Sequence, residues 1–291
     1  MTRTRQIAGA DVFPIGLGGM PMSLSGRPPE ERSIRTIQAA LDAGVSFIDT
    51  ADAYSADDSD VGHNERLIAK AISFPPSRRD GVIVATKGGH TRTPDGDWAL
   101  DGSREHLRAA CEASLQALGT DRIDLYQYHR PDPDVPYAES IGAIKELQDE
   151  GKVRWIGISN AGTDQIEEAL GIAEIVSVQN QLSLEHPSPI GKGEVELCAE
   201  RGIAFLPWSP LGGISKAADA AGAHDPVQEV AEAHGVSPQQ VALAWLLALS
   251  PVVIPIPGAS RPESIQDSVR AADLELTHDE LQAIGRIAQA A

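Results

Sequence analysis

The sequence predicts an α/β fold, a closed (β/α)8 barrel of the TIM-barrel type, on three observations. Short Val/Ile-rich runs alternate with longer amphipathic stretches, the mark of successive βα units. The alternation recurs eight times, which suits a parallel sheet ringed by helices. The length, 291 residues, suits one barrel of about 250 residues with modest additions. No Pro/Ser-rich linker or shift in composition divides the chain, so one domain over 1–291 is expected.

The units follow in order. Strand 12–17 precedes helix 29–42, strand 46–49 helix 64–72, strand 82–86 helix 103–118, and strand 123–128 helix 137–150. In the second half, strand 153–159 precedes helix 163–170, strand 175–179 helix 193–201, strand 204–208 helix 226–233, and strand 252–256 helix 261–271. Additional helices are read at 238–248 and 277–289. Gly44, Gly119, Gly151, Gly171, Gly202 and Gly235 each follow an amphipathic run, where a left-handed residue often closes a helix. Ser103 is placed as an N-cap, and Thr277 with Glu280 matches a capping box. Segments 88–102 and 211–225 read as the longest irregular stretches, and loops of that length are more often functional than decorative.

Charge narrows the partners. Asp and Glu number 42 against 24 Lys and Arg, a formal net charge of −18. No basic run exceeds Arg78-Arg79, so neither a nucleic acid nor an anionic membrane surface is expected as partner. Cys111 and Cys198 lie far apart with no metal or disulfide spacing, which fits a reducing cytoplasm and no metal site. Residues 1–9 are polar, and the longest apolar run, 241–249, is too short to span a bilayer, so a cytoplasmic location is expected. One barrel has the same pattern in a monomer and in an assembly, so oligomeric state stays open.

In such barrels reactive groups gather at the C-terminal ends of the strands. Asp49, Lys87 and His129 end three consecutive strands, and Tyr54 follows in the loop after Asp49. A phenol is a poor acid near neutrality, and a neighbouring lysine is expected to bring its pKa toward the working range while Asp49 holds the lysine charged. His129 would hydrogen-bond a substrate oxygen, and the set suits reduction of a carbonyl. Singly, each residue has another reading: Asp49 as a turn cap, Tyr54 as a surface aromatic, His129 as a core imidazole. Two further chemistries compete. The segment GISNA at 157–161 approaches a nucleophile elbow around Ser159, though it ends in Ala, and Lys87 has the residue type for a Schiff base. The run GLGGMP at 16–21 fails the dinucleotide fingerprint at its last position.

The motifs FIDTADAY at 47–54, GHNERLI at 62–68, ATK at 85–87, LGTDRIDL at 118–125 and His129 resemble those of the aldo-keto reductases. So do GISN at 157–160, QN at 179–180, WSPL at 208–211 and IPGASR at 256–261, in the same order over nearly the whole chain. The resemblance implies reduction of aldehydes and ketones by NADPH, less often NADH, with Asp49, Tyr54, Lys87 and His129 as the catalytic tetrad and Tyr54 as proton donor. It implies that Ser159, Asn160 and Gln179 hold the nicotinamide amide, that Trp208 stacks on the ring, and that Gly19 and Met20 lie beside it. Ser209, Leu211, Gly212 and Gly213 would wrap the pyrophosphate, with Gly258, Ser260 and Arg261 at the 2′-phosphate. Ser264 and Ser268 fall where relatives have a longer polar side chain and an Asn, which weakens the adenine carry-over. Met20, Tyr54, Trp98 and Arg130 are expected to line the substrate pocket. The chain ends soon after its last helix, so an open mouth tolerant of many aldehydes is expected. A cofactor-bound regulatory subunit is the non-enzymatic alternative within the same resemblance.

Overall fold

The computed structural model describes residues 4–73, 79–213 and 226–290. A hairpin of β1 (Arg5–Ile7) and β2 (Ala10–Val12) comes first, joined by a turn in which Ala8 and Gly9 both have positive φ. Then come β3 (Leu17–Gly18), α1 (Glu30–Asp42), β4 (Phe47–Asp49), α2 (His63–Ile72) and β5 (Ile83–Gly88). A second hairpin, β6 (His90–Arg92) and β7 (Trp98–Leu100), precedes α3 (Arg104–Leu118), β8 (Ile123–Tyr128) and α4 (Tyr137–Asp149). The rest is β9 (Val153–Ser159), α5 (Thr163–Leu170), β10 (Ile175–Gln179), α6 (Ser188–Gly191), α7 (Glu194–Arg201), β11 (Ala204–Phe205) and α8 (Pro226–His234). The chain closes with α9 (Pro238–Leu249), α10 (Pro262–Val269) and α11 (His278–Ala290).

Seven of these strands form one parallel sheet in the order β3-β4-β5-β8-β9-β10-β11. Segment 252–258 closes it into a (β/α)8 barrel, bridging Val253 to Phe205 on one side and Gly258 to Gly18 on the other. The amides of Ile254 and Ile256 donate to Phe205 and Pro207, while the carbonyls of Pro255 and Pro257 accept from Gly16 and Gly18. Both prolines therefore sit where only an acceptor is needed, which is how an eighth segment with two missing donors still seals the barrel.

Three sequence expectations are corrected. The predicted strand 12–17 is split: Val12 ends the hairpin, only Leu17 and Gly18 join the sheet, and Pro14 between them has no amide to donate. Segment 88–102 holds β6 and β7 rather than an irregular loop, turning through Pro94-Asp95-Gly96 with Gly96 at φ 81°. Gly171 stays right-handed at φ −71°, because the chain leaves α5 through amides of Ile172 and Ala173 donated to Ala169. The stretch 214–225 lies outside the described residues. Both caps form: Ser103 accepts from the His106 amide, and Thr277 and Glu280 bond reciprocally.

Apolar residues pack in two layers. One lies between sheet and helices, and the other fills the barrel interior with Phe47, Ile83, Ala85, Leu125, Val176, Leu206 and Ile254, plugged from below by Ile7 and Val12 of the first hairpin. Because strand side chains alternate, the inward file of each strand continues upward two residues at a time. Phe47 leads to Asp49, Ile83 and Ala85 to Lys87, and Leu125 to Gln127 and His129. Each file changes from apolar to polar or ionisable side chains toward the C-terminal end of its strand, Asp49 in register with Ala85 and Lys87 with Gln127.

Two glycine substitutions test this packing. Gly18→Ala would set a Cβ 2.8 Å from the Ile256 carbonyl at the closing seam, and denaturant titration should register a loss of about 1–3 kcal/mol. Gly142→Ala in α4 meets nothing within 4 Å and should gain about 0.5–1 kcal/mol in the same assay.

Candidate active site at the barrel mouth

Asp49 ends β4, Lys87 lies one residue before the end of β5, and His129 follows β8, so three adjacent strands deliver them to one opening. Lys87 is fully buried, and its ammonium is saturated: Nζ donates to Asp49 Oδ2 at 2.7 Å, to the Thr50 carbonyl at 2.8 Å and to Tyr54 Oη at 3.0 Å. The other Asp49 oxygen, Oδ1, accepts from Gln179 Nε2 at 2.7 Å and Gln127 Nε2 at 3.2 Å. Tyr54 stands edge-on to His129 with ring centroids 5.7 Å apart.

Burial works to lower the Lys87 pKa, but the Asp49 charge and the bonds to Asp49 and Tyr54 outweigh it and carry the ammonium above its ordinary range. For Tyr54 the expected direction is reversed. Burial is the largest influence and raises the phenol, with Asp49 adding to it, and Lys87 offsets this only in part. Tyr54 therefore keeps its proton at neutral pH. His129 is pushed well below the usual imidazole range by burial first and then by the charge of Lys87, so it is neutral. Its Nδ1 is buried without a hydrogen-bond partner.

The tetrad opens on a cavity of about 1020 Å³ running from Met20 and Tyr54 to Ser268. Its wall includes every residue singled out from the sequence except Lys87, which lies behind Asp49 and Tyr54, and Gly19 and Gly212. Gly18 faces the cavity instead of Gly19, whose amide donates to Asp49 O and whose carbonyl accepts from Asn64. Gly212 turns back on Ser209. Ser159 Oγ donates to the Gln179 carbonyl at 2.7 Å, and no histidine bonds to it among the described residues, so the elbow lacks a base. Asn160, at φ 58°, donates to the His129 carbonyl and to Ser159 Oγ, and accepts from Arg130. Gln179 spends its amide nitrogen on Asp49, a use the sequence reading did not foresee.

At the far end α10 begins without a side-chain cap on its first amides, and Arg261 at its N-cap is steadied by Nε donated to Ser264 Oγ. Ser268 Oγ bonds back to the Ser264 carbonyl. Four contributors escaped the sequence reading. His90 lies 4.5 Å from His129 and stacks on Trp98 at 4.9 Å, a pair that only the unforeseen hairpin brings together. Gln127 was legible, since it stands two residues before His129 on one strand face. Asp52 and Glu65 are buried behind the tetrad, both raised, by burial first. Among the described residues no group of three or more His, Cys, Asp or Glu is placed to hold a metal. No helix there is long and apolar enough to cross a membrane.

A family model described as the aldo/keto reductase family matches residues 14–289. The chain belongs to this family. Among curated relatives of this aldo-keto reductase, a probable aldo-keto reductase of Glycine max is 33% identical, over 95% of this chain and 85% of that protein. An uncharacterized oxidoreductase of Schizosaccharomyces pombe is 35% identical, over 91% and 83%. Among solved structures, an aldo-keto reductase from Klebsiella pneumoniae in complex with NADPH superposes with TM-score 0.82 at 26% identity, over 99% of this chain and 95% of that one. A glycerol dehydrogenase from Gluconobacter oxydans gives TM-score 0.84 at 25% identity, over 98% and 95%.

The buried pair of this aldo-keto reductase is open to a double-mutant cycle. Lys87→Met strands the Asp49 carboxylate and should cost about 3–5 kcal/mol in denaturant titration. Adding Asp49→Asn to that variant should recover much of the loss, whereas strictly additive losses would mean that the two charges do not depend on each other.

Proposed function

We propose that the protein reduces aldehydes and ketones to alcohols with NADPH as cofactor, and that Tyr54 is the proton donor. The single observation that carries this is the bond from Lys87 Nζ to Tyr54 Oη. Because the ammonium donates there, the phenol's own hydrogen is left to point at a substrate oxygen. Tyr54 holds that proton until the oxygen gains charge, and the adjacent ammonium then stabilises the phenolate that remains. Neutral His129 retains one N–H for the same oxygen. Asp49 keeps Lys87 charged, and Gln127 and Gln179 keep Asp49 in place. A lysine with every donor engaged and its pKa raised is not a Schiff-base nucleophile.

The cavity fits the cofactor. It has room for an extended ligand, and its far end offers the N-terminus of α10, which no side chain caps, beside the Arg261 guanidinium, a combination that suits an anion. Trp208 lines the middle with a buried Nε1 that has no partner. NADPH, when bound, supplies the hydride for the carbonyl carbon. In this reading Ser159, Asn160 and Gln179 hold the carboxamide, Trp208 backs the ring, Ser209, Leu211 and Gly213 follow the pyrophosphate, and Gly258, Ser260 and Arg261 take the 2′-phosphate. Met20, Tyr54, Trp98 and Arg130 form the substrate walls. The reading also covers one domain over 1–291 acting in the cytoplasm, supported by two buried free thiols, Cys111 and Cys198, each pushed up to about 12 by burial.

Following NADPH oxidation over a panel of aldehydes tests the chemistry. Tyr54→Phe should lower kcat by about 10²–10⁴ while NADPH binding by fluorescence titration changes little. Turnover that survives this substitution would remove Tyr54 from the role. Arg261→Ala should weaken NADPH more than NADH, and an equal loss for both would remove the 2′-phosphate assignment.

A further inference from the structure

Arg130 is a cation in the wall of the main cavity, partly buried and next to His129. Its guanidinium makes one hydrogen bond, from Nη2 to Asn160 Oδ1 at 3.2 Å. Among the described residues no carboxylate lies within ion-pairing distance of it. An unpaired arginine on the outside of an acidic chain is ordinary, but one in a cavity wall, partly withdrawn from water, lacks the carboxylate that would usually balance its charge. The other charges at this end of the cavity are already balanced. Asp49 is spent on Lys87, and His129 and His90 are neutral, each lowered by burial first and by Arg130 among the charges around them. His90 falls to about 4. Arg130 therefore gives the reacting half of the cavity a net positive charge inside a protein whose formal charge is −18.

The guanidinium is also oriented. Asn160, held left-handed at φ 58°, fixes it through Oδ1 while Nδ2 of the same amide bonds the His129 carbonyl and Ser159 Oγ. One edge is thus anchored to the backbone that carries His129, and the remaining N–H donors suit a carboxylate or phosphate, which a guanidinium binds in fork geometry.

The geometry points to a substrate that carries a carboxylate or phosphate on the same molecule as its carbonyl, with Arg130 as the residue that selects it. This rests on the reductase reading above. The carbonyl oxygen meets Tyr54 and His129, the anionic group meets Arg130, and the two contacts orient the molecule between them. Trp98, 42% exposed and stacked on His90, forms the outer wall along which the connecting part lies.

The test compares charged and neutral aldehydes of like shape with NADPH: 2-carboxybenzaldehyde against benzaldehyde, and glyceraldehyde 3-phosphate against glyceraldehyde. The wild-type protein should prefer at least one charged member by tenfold or more in kcat/KM, mostly through KM, and the favoured pair tells carboxylate from phosphate. Arg130→Met should lower that charged-to-neutral ratio by tenfold or more, whatever it does to the neutral rates, and Arg130→Lys should restore part of it. Raising ionic strength should lower the wild-type ratio and leave that of Arg130→Met unchanged. Neutral aldehydes reduced with no preference for either charged partner, or a ratio that Arg130→Met leaves intact, would overturn the selection by Arg130 and leave the reductase reading standing. No NADPH oxidation with any of the four would overturn both.

Discussion

The ion pair between Lys87 and Asp49 is the constraint on which the site depends. A fully buried ammonium is tolerated only when its charge is matched and its hydrogens are all accepted, and here a carboxylate, a carbonyl and a phenol meet both conditions. The second oxygen of Asp49 is in turn occupied by the amides of Gln127 and Gln179, drawn from two further strands. The network therefore links β4, β5, β8 and β10 across the barrel and sets where Tyr54 and His129 face the cavity. The low dielectric that makes the pair costly to break also keeps Tyr54 protonated and His129 neutral, the states that a proton donor and a hydrogen-bonding imidazole require.

The cavity divides into regions with different electrostatics. Beside the tetrad, Arg130 is the charge left without a partner. At the far end Arg261 stands by the open N-terminus of α10, with Glu263 and Asp267 also in the wall. Asp267 is already engaged by Ser237 and Gln240, which fastens α10 to α9. On a chain that is acidic as a whole, an anion entering the cavity would meet these two arginines through short-range contacts and not through the long-range field.

The alternation of apolar runs and amphipathic stretches was sufficient for the barrel, because period 2 and period 3.6 are local properties of the chain. Helices such as Thr163–Leu170, Arg104–Leu118 and Glu194–Arg201 were legible almost to the residue, with Ser103 and Gly119 marking the ends of the second and Gly202 the end of the third. Less legible were elements whose bonds come from elsewhere. The strand around Leu17 shrinks because Pro14 interrupts it, segment 252–258 is held by acceptors as much as by donors, and the 90–100 hairpin carries too little apolar alternation to stand out despite its Asp-Gly turn.

Residue types and spacing marked Asp49, Tyr54, Lys87 and His129, because they lie at or just after strand ends that periodicity locates, whereas the cavity wall from Met20 to Ser268 was drawn from the resemblance to the aldo-keto reductases. Only the tertiary structure decided how those groups are balanced. Whether burial or Lys87 governs the Tyr54 proton, which amides occupy Asp49, and whether an arginine in the wall has a partner all depend on distances between strands that lie tens of residues apart. Such distances set desolvation and Coulomb energies, and a linear order of residues does not contain them.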